Sequence, residues 1–290
     1  MVRVITGLLA ASVVLALAGC GRAQTSASHS PPPPTRLRVG YASGPYRYGY
    51  EAKIRGTQQQ ANGSRTSVHQ DLSAQGKWKV SGAGSGSGDL VTASFSKIHS
   101  SQSPTTIPGP HQVIFILSPD GQLTLQKGAF PAPGTPTSAP GTSQFVALLS
   151  DQPVKPSSTW VRTISSPNPY GPGGINYQAK STYVKSTTVH GDRAAEVRTT
   201  AMIPINLVVN LQQETGATDQ PSPFGTAVEA HYSGSEAMTV TSVIDVPGHQ
   251  IDSTRSAASV HLAEAPVSGT TPQAPSRFDG TETTSFTWFF

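Results

Sequence analysis

Cysteine is nearly absent. The 290 residues hold one, Cys20, so no intramolecular disulfide can staple the fold, and packing and hydrogen bonding must hold it together. Charge is scarce as well. Asp, Glu, Lys and Arg make up 12% of the chain, about half of the roughly 25% usual for soluble domains, so the surface is mostly uncharged and Ser and Thr supply its polarity. The formal net charge is +4, and removing residues 1–19, which carry only Arg3, leaves +3 from 19 basic and 16 acidic residues. That balance is too weak, and its basic residues too scattered, for a nucleic-acid partner. Long apolar runs are missing except at the start. There, Ile5 to Leu17 is interrupted only by Thr6, Gly7 and Ser12, and it is shorter than the roughly 20 residues a membrane-spanning helix needs.

The usual marks of chemistry are missing too. Ser81 to Gly88 alternates Gly with small residues but lacks the Lys-Ser/Thr pair and following helix of a phosphate loop. No Gly-x-Ser-x-Gly elbow precedes a helix, so a serine hydrolase has no anchor point. The eight histidines, His29, His69, His99, His111, His190, His231, His249 and His261, show no spacing typical of zinc or iron ligands. Asp245 and Asp252 flank a turn and read as a solvated hairpin rather than a glycosidase pair. No catalytic residue, cofactor or metal ligand is expected.

What is present begins with an address. A basic start at Arg3, the apolar run and small residues after it have the order of an exported leader, ending in Leu17-Ala18-Gly19-Cys20. These four residues resemble the lipobox of bacterial lipoproteins. The resemblance implies cleavage before Cys20, diacylglyceration of its thiol and retention on the extracytoplasmic face of the cell membrane. Two acyl chains hold firmly where one holds marginally. By address, the chain resembles β-rich surface lipoproteins of high-GC bacteria.

From residue 20 to Gly44 the chain is rich in Pro, Ser and Thr, includes Pro31 to Pro34, and reads as a tether spanning roughly 25–30 Å as a flexible coil. Period-two alternation then starts at Tyr46, Tyr48, Tyr50, Ala52 and Ile54 and predicts a strand. A turn at Ala61 to Ser64 returns the chain through Ser67 to Val80. Further strands are expected at Leu90 to Ile98, Val113 to Leu117, Leu123 to Leu125, near Trp160, and over Tyr177 to Val189 and Arg193 to Leu211. The last two flank a His190-Gly191-Asp192 turn. Pro204 removes a ladder hydrogen bond from the last of these and predicts an edge or a bulge. Three more strands are expected at Ala227 to Tyr232, Ala237 to Val246 and Gln250 to Leu262. Gln144 to Leu149 is expected to form one short helical turn.

This pattern divides the chain into a signal peptide (1–19), a tether (20–44), a first β unit (45–130), a Pro-rich linker or loop (131–143), a second β unit (144–264) and a Pro/Thr-rich tail ending in an aromatic strand (265–290). Two markers recur at an offset of about 127 residues: Tyr50-Glu51-Ala52-Lys53 with Tyr177-Gln178-Ala179-Lys180, and Pro119 to Leu123 with Pro247 to Ile251. If a duplication underlies them, the body is two similar antiparallel units, in one continuous sheet or two facing ones.

The expected fold is therefore mainly β and antiparallel, a curved sheet, sandwich or half-barrel with few helices. Lipoprotein carriers with a half-barrel and an apolar concavity offer a comparison, although the helices that cover their sheet have no counterpart here. Tyr46, Tyr48, Tyr50, Trp160, Phe286, Trp288, Phe289 and Phe290 are the candidates for an apolar pocket or core. The terminal aromatics also invite comparison with outer-membrane barrels, but the strands lack sustained lipid-facing alternation. The expected role is non-catalytic binding at the cell envelope, with the membrane engaged through Cys20 and a lipid, apolar ligand or envelope partner beyond it. The alternatives are an envelope-polymer hydrolase whose site only the fold assembles, and a structural or adhesive module.

Overall fold

In the computed structural model the described residues are 33–82, 88–101, 103–107, 111–128, 144–168, 171–210, 229–267 and 276–289. Cys20 and the lipobox, most of the Gly-rich loop, the 131–143 stretch and Phe290 lie outside them. Among the described residues twelve strands follow in chain order: β1 (Gly44–Gln59), β2 (Arg65–Gly82), β3 (Asp89–Ser100), β4 (Ser103–Ile107), β5 (His111–Leu117), β6 (Leu123–Lys127), β7 (Thr159–Pro167), β8 (Gly174–Val189), β9 (Asp192–Asn210), β10 (Glu229–Asp245), β11 (Ile251–Pro266) and β12 (Ser276–Phe289). The fold is all-β and antiparallel, as the alternation predicts, with no helix among the described residues.

Eleven strands form one path, β6-β5-β3-β2-β1-β12-β11-β10-β9-β8-β7, and β4 pairs with β3 outside it. Neighbours on the path are consecutive in the chain except β3 with β5, which leaves out β4, and β1 with β12, which joins the first strand to the last along Arg47↔Phe289 to Gln59↔Arg277. The sheet curls until it is nearly closed. Side chains bridge its two edges: Arg162 on β7 pairs with Asp120 beside β6, and Gln122 Nε2 donates to the Ser165 carbonyl at 3.3 Å. Inward positions are mostly apolar and outward positions mostly polar. On β1, for example, Tyr48, Tyr50, Ala52 and Ile54 are buried while Arg47, Glu51 and Lys53 are exposed. This polarity is the reverse of a strand that faces lipid.

The inside of the curve is filled by the chain itself. Gln144 to Ser150 is buried throughout, yet it forms no helical turn, contrary to expectation; it is an irregular segment inside the sheet. A buried segment must place its backbone polar groups, and the inner wall provides partners. Ala147 N–H donates to Ser242 Oγ at 2.9 Å and Leu148 N–H to Thr199 Oγ1 at 2.8 Å. Thr254 Oγ1 donates to the Phe145 carbonyl, and Leu149 N–H to the Asp120 carbonyl at 2.7 Å. A helical turn would satisfy few of its own groups over so short a length, whereas the hydroxyls satisfy them one by one.

Composition also hid three other features. The chain enters the fold well before Gly44: Leu37, Val39 and Tyr41 are buried, and residues 39–41 cross one mouth of the barrel. Val39 N–H donates to the Pro119 carbonyl and Gly40 N–H to the His249 carbonyl, both at 2.8 Å. The expected break between Tyr232 and Ala237 is absent, and β10 runs through it. A Cβ on Gly234 would meet the His261 carbonyl oxygen, so this glycine serves a close approach of strands rather than a turn. The terminal aromatic strand begins at Ser276 and sits between β1 and β11, in the middle of the sheet. Its inward row includes Gly280, Glu282 and Thr284, which conceals the apolar alternation.

Two local expectations have direct counterparts. The β8–β9 connection is a two-residue turn at His190 and Gly191 with φ of 52° and 93°, as a type I′ hairpin requires. Pro204 lies on β9 where only β10 pairs with it, opposite Ser235, so it occupies a local edge. The two repeat markers do not fall on equivalent strands. Four strands, β2 to β5, separate the first marker's strand from the 119–121 turn, and two, β9 and β10, separate the second's from the 247–249 turn.

Candidate binding surface

Most of the aromatic candidates meet in one cluster. Tyr48, Tyr50, Phe286 and Trp288 are buried there, and Tyr46 and Trp160 pack against it half-buried. Phe289 lies on β12 opposite Arg47; its side chain, like Phe290, is outside the described residues. The cluster also takes in Tyr41, Trp78, Phe95, Phe115 and Phe145. Phe145 stacks on Phe286 at 4.3 Å, and Trp78 meets Trp288 edge-on at 5.1 Å. Two glycines make room for the rings: Gly76 lies under Tyr48, its cross-strand partner, and Gly56 under Phe278. Burial pushes the hydroxyls of Tyr41, Tyr48 and Tyr50 above their ordinary range, so they remain neutral. These rings form a packed core. Tyr41 had a readable signal, because Leu37, Val39 and Tyr41 alternate within the stretch read as tether.

A concave surface lies on the opposite wall. β8 and β9 pair from Val189↔Asp192 to Ala179↔Ala201 and then part. Beyond that point β8 continues to Gly174 beside β7, and β9 continues to Asn210 beside β10. At this fork the outer face holds a depression of about 470 Å³. Ala179 and Met238 form its buried floor, with Ala201 and Ala237 half-buried around them. Met202 and Val161, at its border, are 61% and 60% exposed. Among the described residues they are two of three exposed large hydrophobic side chains. Lys180 and Gln178 give the border polar ends. Covering both exposed side chains would contribute roughly 2–3 kcal/mol, enough for a contact that needs polar help to become tight. Strand alternation alone does not reveal this site, because the fork depends on where the register of two strands ends.

The acidic candidates have structural partners. Asp245 Oδ2 accepts from Gly248 N–H at 3.1 Å and shapes the β10–β11 turn. Asp252 lies 3.3 Å from His190 Nε2. Inside the far end of the barrel, Tyr232 donates to Glu264 Oε1 at 2.8 Å, and burial raises the Glu264 carboxyl above its usual range despite that bond. Glu236 is buried two inward positions from Tyr232 on β10. His261 pairs with Asp279, and His231 with Asn206. Among the described residues no three His, Cys, Asp or Glu converge in a way that could hold a metal ion.

No protein-family model matches the chain, and no curated protein is significantly similar to it.

Proposed function

We propose that the protein is a lipid-anchored, extracytoplasmic binding module without catalytic activity, and that it meets its ligand at the β8/β9 fork. The anchor follows from the resemblance of Leu17-Ala18-Gly19-Cys20 to a lipobox. The observation that carries the binding reading is the depression at the fork, an apolar patch with Met202 and Val161 exposed on a wall that is otherwise polar. Exposed apolar surface of this kind marks contact sites more often than it marks packing. That Gln144 to Ser150 fills the inside of the curve supports a reading in which an apolar ligand meets this outer surface rather than the interior of the sheet. That distinguishes the reading from lipid carriage in a concavity.

The fragment 33–290, whose contacts form one unit, can be incubated with envelope lipids and envelope extracts and examined by native mass spectrometry and hydrogen exchange. The expected result is a retained ligand that protects residues 200–202 and is lost on Met202→Glu. Protection confined to other strands, or a bound fraction unchanged by Met202→Glu, overturns the site. For the anchor, detergent partitioning of the full chain is compared with that of Cys20→Ala; equal partitioning and equal mass overturn lipidation.

A further inference from the structure

The charges of this chain are divided by position. Residues 33–143 hold ten Lys or Arg against four Asp or Glu, a net of +6, and residues 144–290 hold eight against twelve, a net of −4. The first set of strands lies on one side of the β1/β12 junction and the second on the other; the first wall is basic, while on the second the outward acids and bases of the described residues nearly balance, because Glu236 and Glu264 are buried and Glu282 lies on the inward row. The basic wall is densest at one end. The register sets Arg47 directly opposite Lys77, with Lys79 two residues on, and all three are exposed. Their cross-strand neighbours are Phe289, Pro45, Ser94 and Thr92, none of them acidic. Among the described residues the ion pairs use Arg55, Arg162, Lys185, His190 and His261 instead. Like charges set opposite each other in a sheet destabilise it, and an anionic partner would offset that cost.

The same end of the barrel is where the chain comes in. Tyr41, on the segment that crosses the mouth, packs against Tyr46 at 4.9 Å and against Trp78, the residue between Lys77 and Lys79, at 5.9 Å. Its backbone N–H donates to Asp89 Oδ2 at 2.9 Å, which engages an acid of the first wall. Arg36 and Arg38 stand exposed on the same segment, alternating with buried Leu37 and Val39. Asp192, Asp245 and Asp252 also lie at this end, but on or beside turns of the opposite wall. A negatively charged plane approaching this end is therefore attracted on the β1–β2 side, where no acid faces the basic cluster, more than on the β8–β11 side, where Asp192, Asp245 and Asp252 stand beside Arg193 and Arg255.

We propose that Arg47, Lys77 and Lys79, with Arg36 and Arg38, dock the barrel on the anionic headgroups of the membrane that anchors Cys20. The body then leans on its β1–β2 wall and turns the β8/β9 fork away from the bilayer. This deepens the lipid-anchored reading and rests on it for the choice of surface. Basic residues near an anionic bilayer each raise affinity several-fold, and the attraction fades over a Debye length.

The test uses fragment 33–290, which lacks the anchor, in co-sedimentation with vesicles of phosphatidylcholine alone or mixed with phosphatidylglycerol. Binding is expected only to the mixed vesicles and is expected to weaken sharply between low salt and about 0.15 M salt. The triple variant Arg47→Gln, Lys77→Gln, Lys79→Gln should lose on the order of a hundredfold in affinity. The equal-charge control Arg193→Gln, Arg198→Gln, Arg255→Gln on the other wall should bind as the parent does, with circular dichroism verifying both folds. Equal binding to neutral vesicles, or equal loss in the two variants, overturns the proposal. So does low-salt self-association without vesicle binding, which would assign the basic wall to a second copy of the chain. Any of these leaves the Cys20 partitioning result untouched, so the two readings fail separately.

Discussion

Phe145 to Leu149 is held from two sides by different physics. On one side, β1, β2, β3, β5 and β12 present rings: Trp78, Phe115 and Phe286 pack against Phe145, in one buried cluster with Tyr48 and Phe95. On the other, β8 to β11 present hydroxyls: Ser181 with Thr199 at 2.8 Å, and Ser242 with Thr254 at 2.9 Å. The ring side supplies apolar burial, and the hydroxyl side pairs backbone groups that would otherwise be stranded. Neither wall alone could hold an irregular strand of chain in a dry interior, because packing cannot satisfy amides and hydroxyls bury little apolar area. The outer faces differ as well, basic on the first wall and nearly balanced in charge on the second.

Removing a ring from the first wall should cost most. Trp78→Ala is expected to destabilise the fold by about 3–5 kcal/mol, read as a lower urea midpoint with little change in slope; a shift below about 1 kcal/mol would mean that the ring side is not the main source of burial. Gly234→Ala, on the second wall, forces a Cβ against the His261 carbonyl and should cost roughly 1–3 kcal/mol. Its hydrogen-exchange signature should be local to β10 and β11. Thr199→Val keeps the shape but strands the Leu148 amide, and about 1–3 kcal/mol of loss is expected. Combining it with Ser242→Ala should give a sum that is not additive if the two hydroxyls hold one segment. An additive result would separate them.

The smallest effect concerns pH. Burial raises the Glu264 carboxyl in the folded state, so folding favours its protonated form. Its contribution is complete below the usual carboxylate range and is lost as pH rises through the raised value. Thermal unfolding should therefore show a decline in stability over that interval that Glu264→Gln abolishes. A decline that persists in the variant would assign it to another group.

Much of the sheet was legible residue by residue. Period-two alternation from Tyr46 to Ile54, from Leu90 to Ile98 and from Ile203 to Val209 located strands because each has one buried face. The His190-Gly191 turn was legible because positive φ at two successive positions restricts the residues that can stand there. Pro204 announced a local edge because it has no N–H to give. Where alternation failed, an inward position was polar or glycine for a reason outside its own strand. Gly280 makes room near the Phe278 ring, and Gly234 gives way to a neighbouring backbone. Gln144 to Leu149 misled because an apolar stretch as short as the five residues Phe145 to Leu149 looks the same whether it coils or runs through a core.

The sequence by itself determined the β class, most strand positions, the polar and thinly charged surface, and the resemblance at Cys20 that motivates an anchor. These are local properties, carried by side-chain alternation, turn chemistry and composition. Only the tertiary structure decided that β1 pairs with β12, that the sheet curls around its own chain rather than a cavity, and that β8 and β9 part to expose Met202 and Val161. It also decided that the basic residues of the first half gather on one wall. Each of these depends on which strands become neighbours and where their registers end, and the free energy of that choice lies in contacts between residues far apart in the chain.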